Sequence, residues 1–436
     1  MTTTQDFQGA HLRWPFDRRQ RPFVVRVMEP AKYRPVDHAE IFNAAVTSLV
    51  ERSRRTVDLY DRSSHPADPR QFDLITFPEA FIDGTTLCAT LSIFQYLGPS
   101  GCIHTGLRAS AADASRHLFK FDEMVKLRDE LEALLPFAEV DLGPFSTWLD
   151  EQDQDGMFNL GCIFLNDANS QMRVCLHPKQ VRSKFEISHV REEMMCEANL
   201  LTVVTLEPAD KKFGTITLQP LICSDALHLE SDSGREPPIH AVNRDAACLG
   251  ANPPDHVDIV SVATCTPQPR TNLDPTTTVH SWHEQFRHAF VDAARSPDCT
   301  RHHFAAIVLS NFRQIETTKV GGLSGVFLPV PPNPTEFGVG TMTSVWGSAS
   351  KEEPDTRWSL PGERDFTGWR SRGFIAMLEP ANDAIGRIFG FTIHRLPREA
   401  SPWEKNAARL TSVEIRQGAR DDTGVLTFPR RGATHE

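Results

Sequence analysis

Thr217-Leu-Gln-Pro-Leu-Ile-Cys-Ser-Asp-Ala226 is an apolar run that ends in a cysteine, a serine and an aspartate. Its length and composition read as a buried strand that delivers Cys223 to its carboxyl end. Ser224 and Asp225 then read as a tight turn carrying an acidic side chain. A thiol at a strand-to-helix turn can have its pKa lowered and its sulfur presented, and nucleophilic cysteines are usually placed there. Standing alone, Cys223 reads first as a small core residue, since cysteine is among the most buried residue types. Two other strand ends give it company.

The first is Phe72-Asp-Leu-Ile-Thr-Phe-Pro-Glu-Ala-Phe81. Leu74 to Phe77 reads as a strand that Pro78 terminates, because proline cannot donate to the ladder. Glu79 therefore falls just past a strand end. The second is a hairpin: Phe158 to Leu165, a turn over Asn166-Asp-Ala-Asn-Ser170, and a return strand from Met172 to Leu176. It ends in His177-Pro-Lys179, so a lysine arrives at a strand terminus as the glutamate does. Sheets gather strand ends at one rim, where Glu79, Lys179 and Cys223 can converge. Their chemistry is complementary. A carboxylate accepts the thiol proton, an ammonium stabilises thiolate and oxyanion, and a thiolate attacks a carbonyl or nitrile carbon.

Working outward, residues 1–20 read as a polar, irregular N-terminal arm and Phe23 to Met28 as the first buried strand. Ala39 to Arg54 has helical spacing of Ile41, Phe42, Ala45, Val46, Leu49 and Val50. Leu87 to Leu97 and Ser110 to Leu135 also read as helices. Leu200 to Leu206, Phe213 to Ile222, Val257 to Ala263 and Phe304 to Leu309 read as strands, with a helix from Val279 to Arg295. This alternation predicts an α/β layered fold. From Thr341 to Arg372 the chain reads as irregular. Gly373 to Leu378 and Arg387 to His394 are strand-like, and residues 397–436 read as a flexible tail or a packing arm.

Composition bounds the class. The chain of 436 residues is 40% hydrophobic and 24% charged, ordinary for a soluble globular protein. A net charge of -11 argues against a broad nucleic-acid footprint. Arg18-Arg19-Gln20-Arg21 and Arg52-Ser53-Arg54-Arg55 read as solvated surface. No run has the length of a membrane span, and the N-terminus lacks a signal-peptide core. Nine cysteines at irregular spacing, with no CxxC pair, suit a reducing compartment. The expectation is a soluble, cytoplasmic protein.

The catalytic set Glu79, Lys179 and Cys223 resembles that of the nitrilase superfamily, the carbon–nitrogen hydrolases. Phe77-Pro-Glu-Ala resembles the family's strand-then-Pro-Glu motif, and Asn159, Asn169-Ser170 and His177-Pro-Lys179 resemble the hairpin that presents its lysine. Leu221-Ile-Cys-Ser-Asp225 resembles the nucleophile motif, while Trp282, Asn311 and Gly321-Gly-Leu-Ser324 resemble downstream landmarks in the right order. The resemblance covers Arg21 to Pro332. It implies a four-layer α-β-β-α sandwich, commonly paired into dimers or larger homo-oligomers. It also implies Glu79 as general base, Cys223 as nucleophile, and Lys179 with the Ser224 N–H as oxyanion holders. No metal or organic cofactor is implied, and the substrate class is a small-molecule amide or nitrile.

The departures are informative. Pro178 precedes the lysine and Gln180-Val181-Arg182 follow, where the family tends to a basic residue before it and His-Leu after. Lys184 is a rival, although the distance from the hairpin turn favours Lys179. A second glutamate often supports such sites. Glu186 is the first choice, with Glu192 and Glu193 close behind. Ser224-Asp225 after the cysteine leans to amide-cleaving branches, since nitrilases tend to carry Trp-Glu. Residues 21–345 read as the nitrilase-like domain, and 346–436 as a C-terminal extension that completes the sheets or mediates assembly with a protein partner.

His280, His283 and His288 invite a metal reading. On a helix, however, the last two lie about 140° apart, and no HExxH motif is formed. Gly321-Gly-Leu-Ser-Gly325 has neither Walker nor dinucleotide spacing. The expected activity is hydrolysis of a non-peptide C–N bond through a Cys223 thioester. Acyl transfer from the same thioester, and a nitrilase-like scaffold within a larger assembly, are the alternatives.

Overall fold

A computed structural model describes residues 7–16, 23–60, 72–96, 101–113, 116–134, 138–140, 142–166, 172–183, 186, 195–208, 215–226, 238–244, 246–254, 257–266, 306–316, 319–320, 324–330, 370–372, 385–393 and 410–428. The expected helix Val279–Arg295, Trp282, the three histidines on that stretch, and the strand Gly373–Leu378 lie outside the described residues.

Two sheets carry the fold among the described residues. In the smaller, seven strands run in the order Gln8–Phe16, Leu200–Pro208, Ile216–Ile222, Ile259–Ala263, Ala306–Ser310, Gly325–Val330 and Arg370–Arg372. The larger, ten-stranded sheet runs Leu426–Thr427, Leu410–Arg420, Gly386–Ile393, Phe23–Pro30, Leu74–Thr76, Cys102–Arg108, Leu160–Asn166, Met172–Pro178 and Ala138–Val140, with Ile82–Asp83 beside Cys102–Arg108.

Register decides where the chemistry falls. Phe23–Pro30, Leu74–Thr76 and Cys102–Arg108 are parallel neighbours. Leu160–Asn166 runs against Cys102–Arg108 and Met172–Pro178 runs against it in turn, so the residue after Pro178 emerges at the same rim as the residues after Thr76. In the smaller sheet Ile216–Ile222, Ile259–Ala263 and Ala306–Ser310 are likewise parallel. Pairing of Ile216–Ile222 to Leu200–Pro208 stops at Leu218, before Pro220 would be asked for an N–H it lacks.

Alternation along the strands separates the layers. Phe23, Val25 and Val27 join Leu12, Trp14, Phe16, Val204, Leu218, Ile259 and Val308 in one apolar layer between the sheets. Met28, pointing the other way, packs with Ile41, Phe42, Ala45, Val46 and Leu49 of the helix Pro35–Tyr60. Those residues are the predicted apolar stripe. The helix starts with proline, whose missing N–H costs nothing at that position. On the outer face of the smaller sheet, Leu221, Val260, Val262, Ile307 and Leu309 pack with Ile239, Ala241 and Val242 of the helix Pro238–Arg244. Each buried aliphatic or aromatic side chain in these layers contributes about 1.5–3 kcal/mol.

Several expectations are corrected. Within residues 1–20, Gln8–Phe16 is not an irregular arm but an edge strand, parallel to Leu200–Pro208, burying Ala10, Leu12, Trp14 and Phe16. The expected helix Ser110–Leu135 is confined to Phe121–Glu132. Its first part is a loop because the buried Arg108 guanidinium uses the carbonyls a helix would need, donating to Ser110 O at 2.7 Å and Asp113 O at 3.0 Å. Tyr33 Oη accepts a third bond from Arg108 at 2.9 Å. In the region after 397, Leu410–Arg420 and Leu426–Thr427 are strands rather than tail.

Among the described residues no helix is long and apolar enough to cross a membrane.

Gly386–Ile393 lies inside the larger sheet, hydrogen-bonded to Phe23–Pro30 on one side and Leu410–Arg420 on the other. A chain ending at residue 345 therefore bares the edge of a central strand. It is expected to lose cooperative thermal unfolding and to aggregate in size-exclusion chromatography. A chain ending at Phe428 is expected to melt as the full chain does.

Candidate active site

Three loops meet where the rims of the two sheets face each other. The first follows Leu74–Thr76. Phe77 N–H bonds to His104 O at 2.8 Å, Gly106 N–H to Pro78 O at 3.0 Å and Phe81 N–H to Gly106 O at 3.0 Å. The loop thus wraps around Gly106, where a Cβ would stand 2.4 Å from Glu79 Cα; only glycine admits that approach. Ala80 takes φ +52°, so the chain turns sharply after Glu79. Glu79 N–H reaches Thr264 O of the opposite sheet at 3.2 Å, and its Oε2 accepts from Cys265 N–H at 3.0 Å.

The second loop follows the hairpin. Lys179 N–H bonds to Asn159 O at 2.8 Å. The lysine side chain is 1% exposed, and its Nζ lies 2.9 Å from Glu79 Oε1 and 2.8 Å from Glu186 Oε1. Asn159 sits between the short strand Met157–Phe158 and Leu160–Asn166. Its Nδ2 donates to the same two oxygens at 2.8 and 2.7 Å. The other oxygen of Glu186 accepts from Ser183 N–H at 2.8 Å.

The third loop carries Cys223, itself at φ +45° at the start of the short 3-10 turn Cys223–Ala226. Asp225 ties this loop to the lysine loop. Its Oδ1 accepts from Gln180 and Val181 N–H at 2.9 and 2.8 Å, and its Oδ2 from Ile222 N–H at 3.2 Å. Ser224 Oγ donates to Val181 O. The Cys223 sulfur meets Thr266 Oγ1 at 2.9 Å.

Every first-choice residue from the sequence is therefore in this cluster: Glu79, Lys179, Glu186, Cys223, Ser224 and Asp225, all buried. The rivals Lys184, Glu192 and Glu193 lie outside the described residues. Sequence reasoning missed Thr266 and treated Asn159 as a landmark rather than a clamp. It also passed over His117, half-buried within electrostatic reach of Glu186, Glu79 and Lys179. The rule that picked the other three, a polar residue just past an apolar strand, would have found Thr266 three positions after Ala263.

The electrostatics favour a thiol at rest. Burial, reinforced by the Glu79 charge, pushes Cys223 up to about 12 against the opposing influence of Lys179 and Thr266. Burial works against the Lys179 ammonium, yet Glu186 and Glu79 hold its pKa well above the usual lysine range. Burial works against the Glu186 carboxylate too, and Lys179 with Asn159 brings it below its ordinary value. Asp225 is pushed up to about 7 by burial, against Lys179 and its backbone donors.

A neutral polar layer lies beneath the cluster. Ser261 Oγ meets Thr76 Oγ1 at 2.6 Å and His104 Nδ1 at 2.8 Å, and His104 Nε2 lies 3.2 Å from His177 Nε2. Burial holds His104 well below the usual histidine range and brings His177 down to about 3. Among the described residues no group of His, Cys, Asp and Glu forms a metal-binding arrangement.

Neither a family model nor a curated protein matches the chain. Solved structures do. A mutant of the amidase from Nesterenkonia sp. AN1, showing covalent addition of the acetamide moiety of fluoroacetamide at the active-site cysteine, is similar at 11% identity and a TM-score of 0.34. That likeness covers 72% of this chain and 85% of the other. An N-terminal amidase is similar at 11% identity and a TM-score of 0.26 over 63% of this chain, and one with an Asn-Glu-Ala peptide at 12% identity and 0.26 over 63%. In both cases this chain spans about half the length of the N-terminal amidase, 55%.

Two outcomes follow from this geometry. Lys179→Met leaves two buried carboxylates without their cation and is expected to cost roughly 3–5 kcal/mol in denaturant unfolding. His177, depressed from 6.5 to about 3, contributes stability that is complete above about pH 6.5 and is lost as pH falls toward 3. Denaturant midpoints measured down that range are expected to decline, and His177→Gln is expected to flatten the decline.

Proposed function

We propose that this protein is a nitrilase-type carbon–nitrogen hydrolase that cleaves a small-molecule amide through a thioester on Cys223. The observation that carries the reading is the Lys179 ammonium, clamped by Glu79 and Glu186 within electrostatic reach of the Cys223 sulfur.

Because the thiol rests protonated, attack needs a base. The Glu79 carboxylate takes the proton as sulfur bonds to the carbonyl carbon. Charge developing on the carbonyl oxygen is met by Lys179 and the Ser224 N–H, donors already fixed in place. The C–N bond breaks as Glu79 returns the proton to the leaving amine or ammonia. Water, deprotonated by the same carboxylate, then opens the thioester and restores the thiol. Glu186 and Asn159 hold Lys179 and Glu79 through both halves. These steps call on side chains and water alone, with no metal or organic cofactor.

An amide fits better than a nitrile because Ser224-Asp225 follows the cysteine, and Asp225 serves the loop backbones rather than the substrate. The reading carries a four-layer α-β-β-α sandwich with it, a homo-oligomer, and a cytoplasmic setting. Residues 346–436 are proposed to contribute to assembly beyond completing the larger sheet.

The test is turnover of a panel of small amides and nitriles by the full chain. Cys223→Ala is expected to abolish it with the wild-type melting curve, and Glu79→Gln to slow it about a thousandfold. Added hydroxylamine or amine separates hydrolysis from acyl transfer by the product formed. Turnover retained by Cys223→Ala would overturn the reading.

A further inference from the structure

Thr266 stands at the rim of the smaller sheet, and its hydroxyl contacts the nucleophile at 2.9 Å. Its place there is fixed through the backbone rather than the side chain. Asn311 closes a two-point clamp on it, with Oδ1 accepting from Thr266 N–H at 3.2 Å and Nδ2 donating to Thr266 O at 2.9 Å. Asn311 is held in turn, its N–H donating to Ser324 Oγ at 3.0 Å and its Oδ1 also accepting from Phe312 N–H at 2.8 Å. Thr266, Asn311 and Ser324 are all buried. The clamp satisfies the backbone of residue 266 and leaves its hydroxyl turned to the sulfur.

The site has a need that this hydroxyl answers. Glu79, Glu186 and Lys179 together carry a net negative charge, so a thiolate forming beside them meets like charge. Lys179 already directs hydrogen bonds to both carboxylates. Thr266 supplies a neutral hydroxyl at contact distance from the sulfur, able to donate once the sulfur has lost its proton, and adds no charge to a buried cluster. Threonine also fixes the direction of that donor, because branching at Cβ restricts its rotation.

We propose that Thr266 is a further catalytic residue of this site, donating its hydroxyl hydrogen bond to the Cys223 sulfur as the thiol gives up its proton. The proposal rests on the thioester chemistry set out above. In the step itself the S–H bond breaks and the proton passes to Glu79. The electron pair stays on sulfur and goes into the new C–S bond, and Thr266 keeps its own proton throughout.

The test reads the thiol rather than the turnover. The full chain is alkylated with iodoacetamide across a pH series, and the rate at Cys223 is followed by peptide mapping with the exposed Cys196 as internal reference. Thr266→Val, near-isosteric and checked by thermal melting, is expected to slow Cys223 about tenfold at each pH of the series. Thr266→Ser is expected to restore the rate to within about threefold. A valine variant as fast as wild type overturns the proposal, and so does a serine variant as slow as valine. A Cys223 alkylation rate that does not fall in Glu79→Gln overturns the thioester reading itself and this proposal with it.

Discussion

The Lys179 ammonium is taken out of water and set between two carboxylates, 2.9 Å from one and 2.8 Å from the other. Removing ions of this size from water costs several kcal/mol each, and mutual attraction offsets that cost only when the geometry is close and the remaining donors are satisfied. Glu79, Lys179 and Glu186 are therefore tolerable in the interior only as a set. Glu79 comes from one loop and Lys179 with Glu186 from another, so the two loops must arrive together. Gly106 under Glu79, Asn159 under Lys179, and Asp225 joining the lysine and cysteine loops are the means by which they do. The cluster is a folding constraint first, whatever chemistry is proposed for it.

The same burial sets the state of the sulfur. A thiolate would be a further anion beside Glu79, so the resting site keeps the proton on Cys223. Reactivity then appears only when an electrophile is in place to receive the electron pair as the proton leaves. Below the cluster, the Thr76–Ser261–His104–His177 layer is polar yet uncharged, which lets polar groups sit at the edge of an apolar interface without adding a charge that would disturb the lysine's balance.

The strands that position the site were legible because they are short apolar runs closed by proline or by a change to polar residues. Leu74–Thr76, the hairpin and Ile216–Ile222 all show that pattern. Glu79, Lys179 and Cys223 followed from it, being the polar residues just past those ends. Cys102–Arg108 was not legible, since His104, Thr105 and Arg108 break its apolar character. Arg108 also hid the loop after it, because a guanidinium that captures carbonyls leaves no trace in helical periodicity. The edge strand Gln8–Phe16 does alternate, but Pro15 and the charged residues around it obscure a short pattern. Asn159 acts through contacts with Glu79 and Glu186, residues brought close only by the fold, and spacing encodes neither contact.

Glu79 belongs to one sheet by its chain and to the other by its hydrogen bonds, through Thr264 O and Cys265 N–H. The proposed base is thus a rivet between two plates whose contact is an apolar layer of Val, Leu, Ile and Phe. Such layers resist compression but can slip by small shear where a side chain is lost. A cavity opened deep in that layer, far from any substrate, would be felt as misalignment between base and nucleophile. Reaction rate would then serve as a gauge of how well the two halves of the molecule are seated on each other.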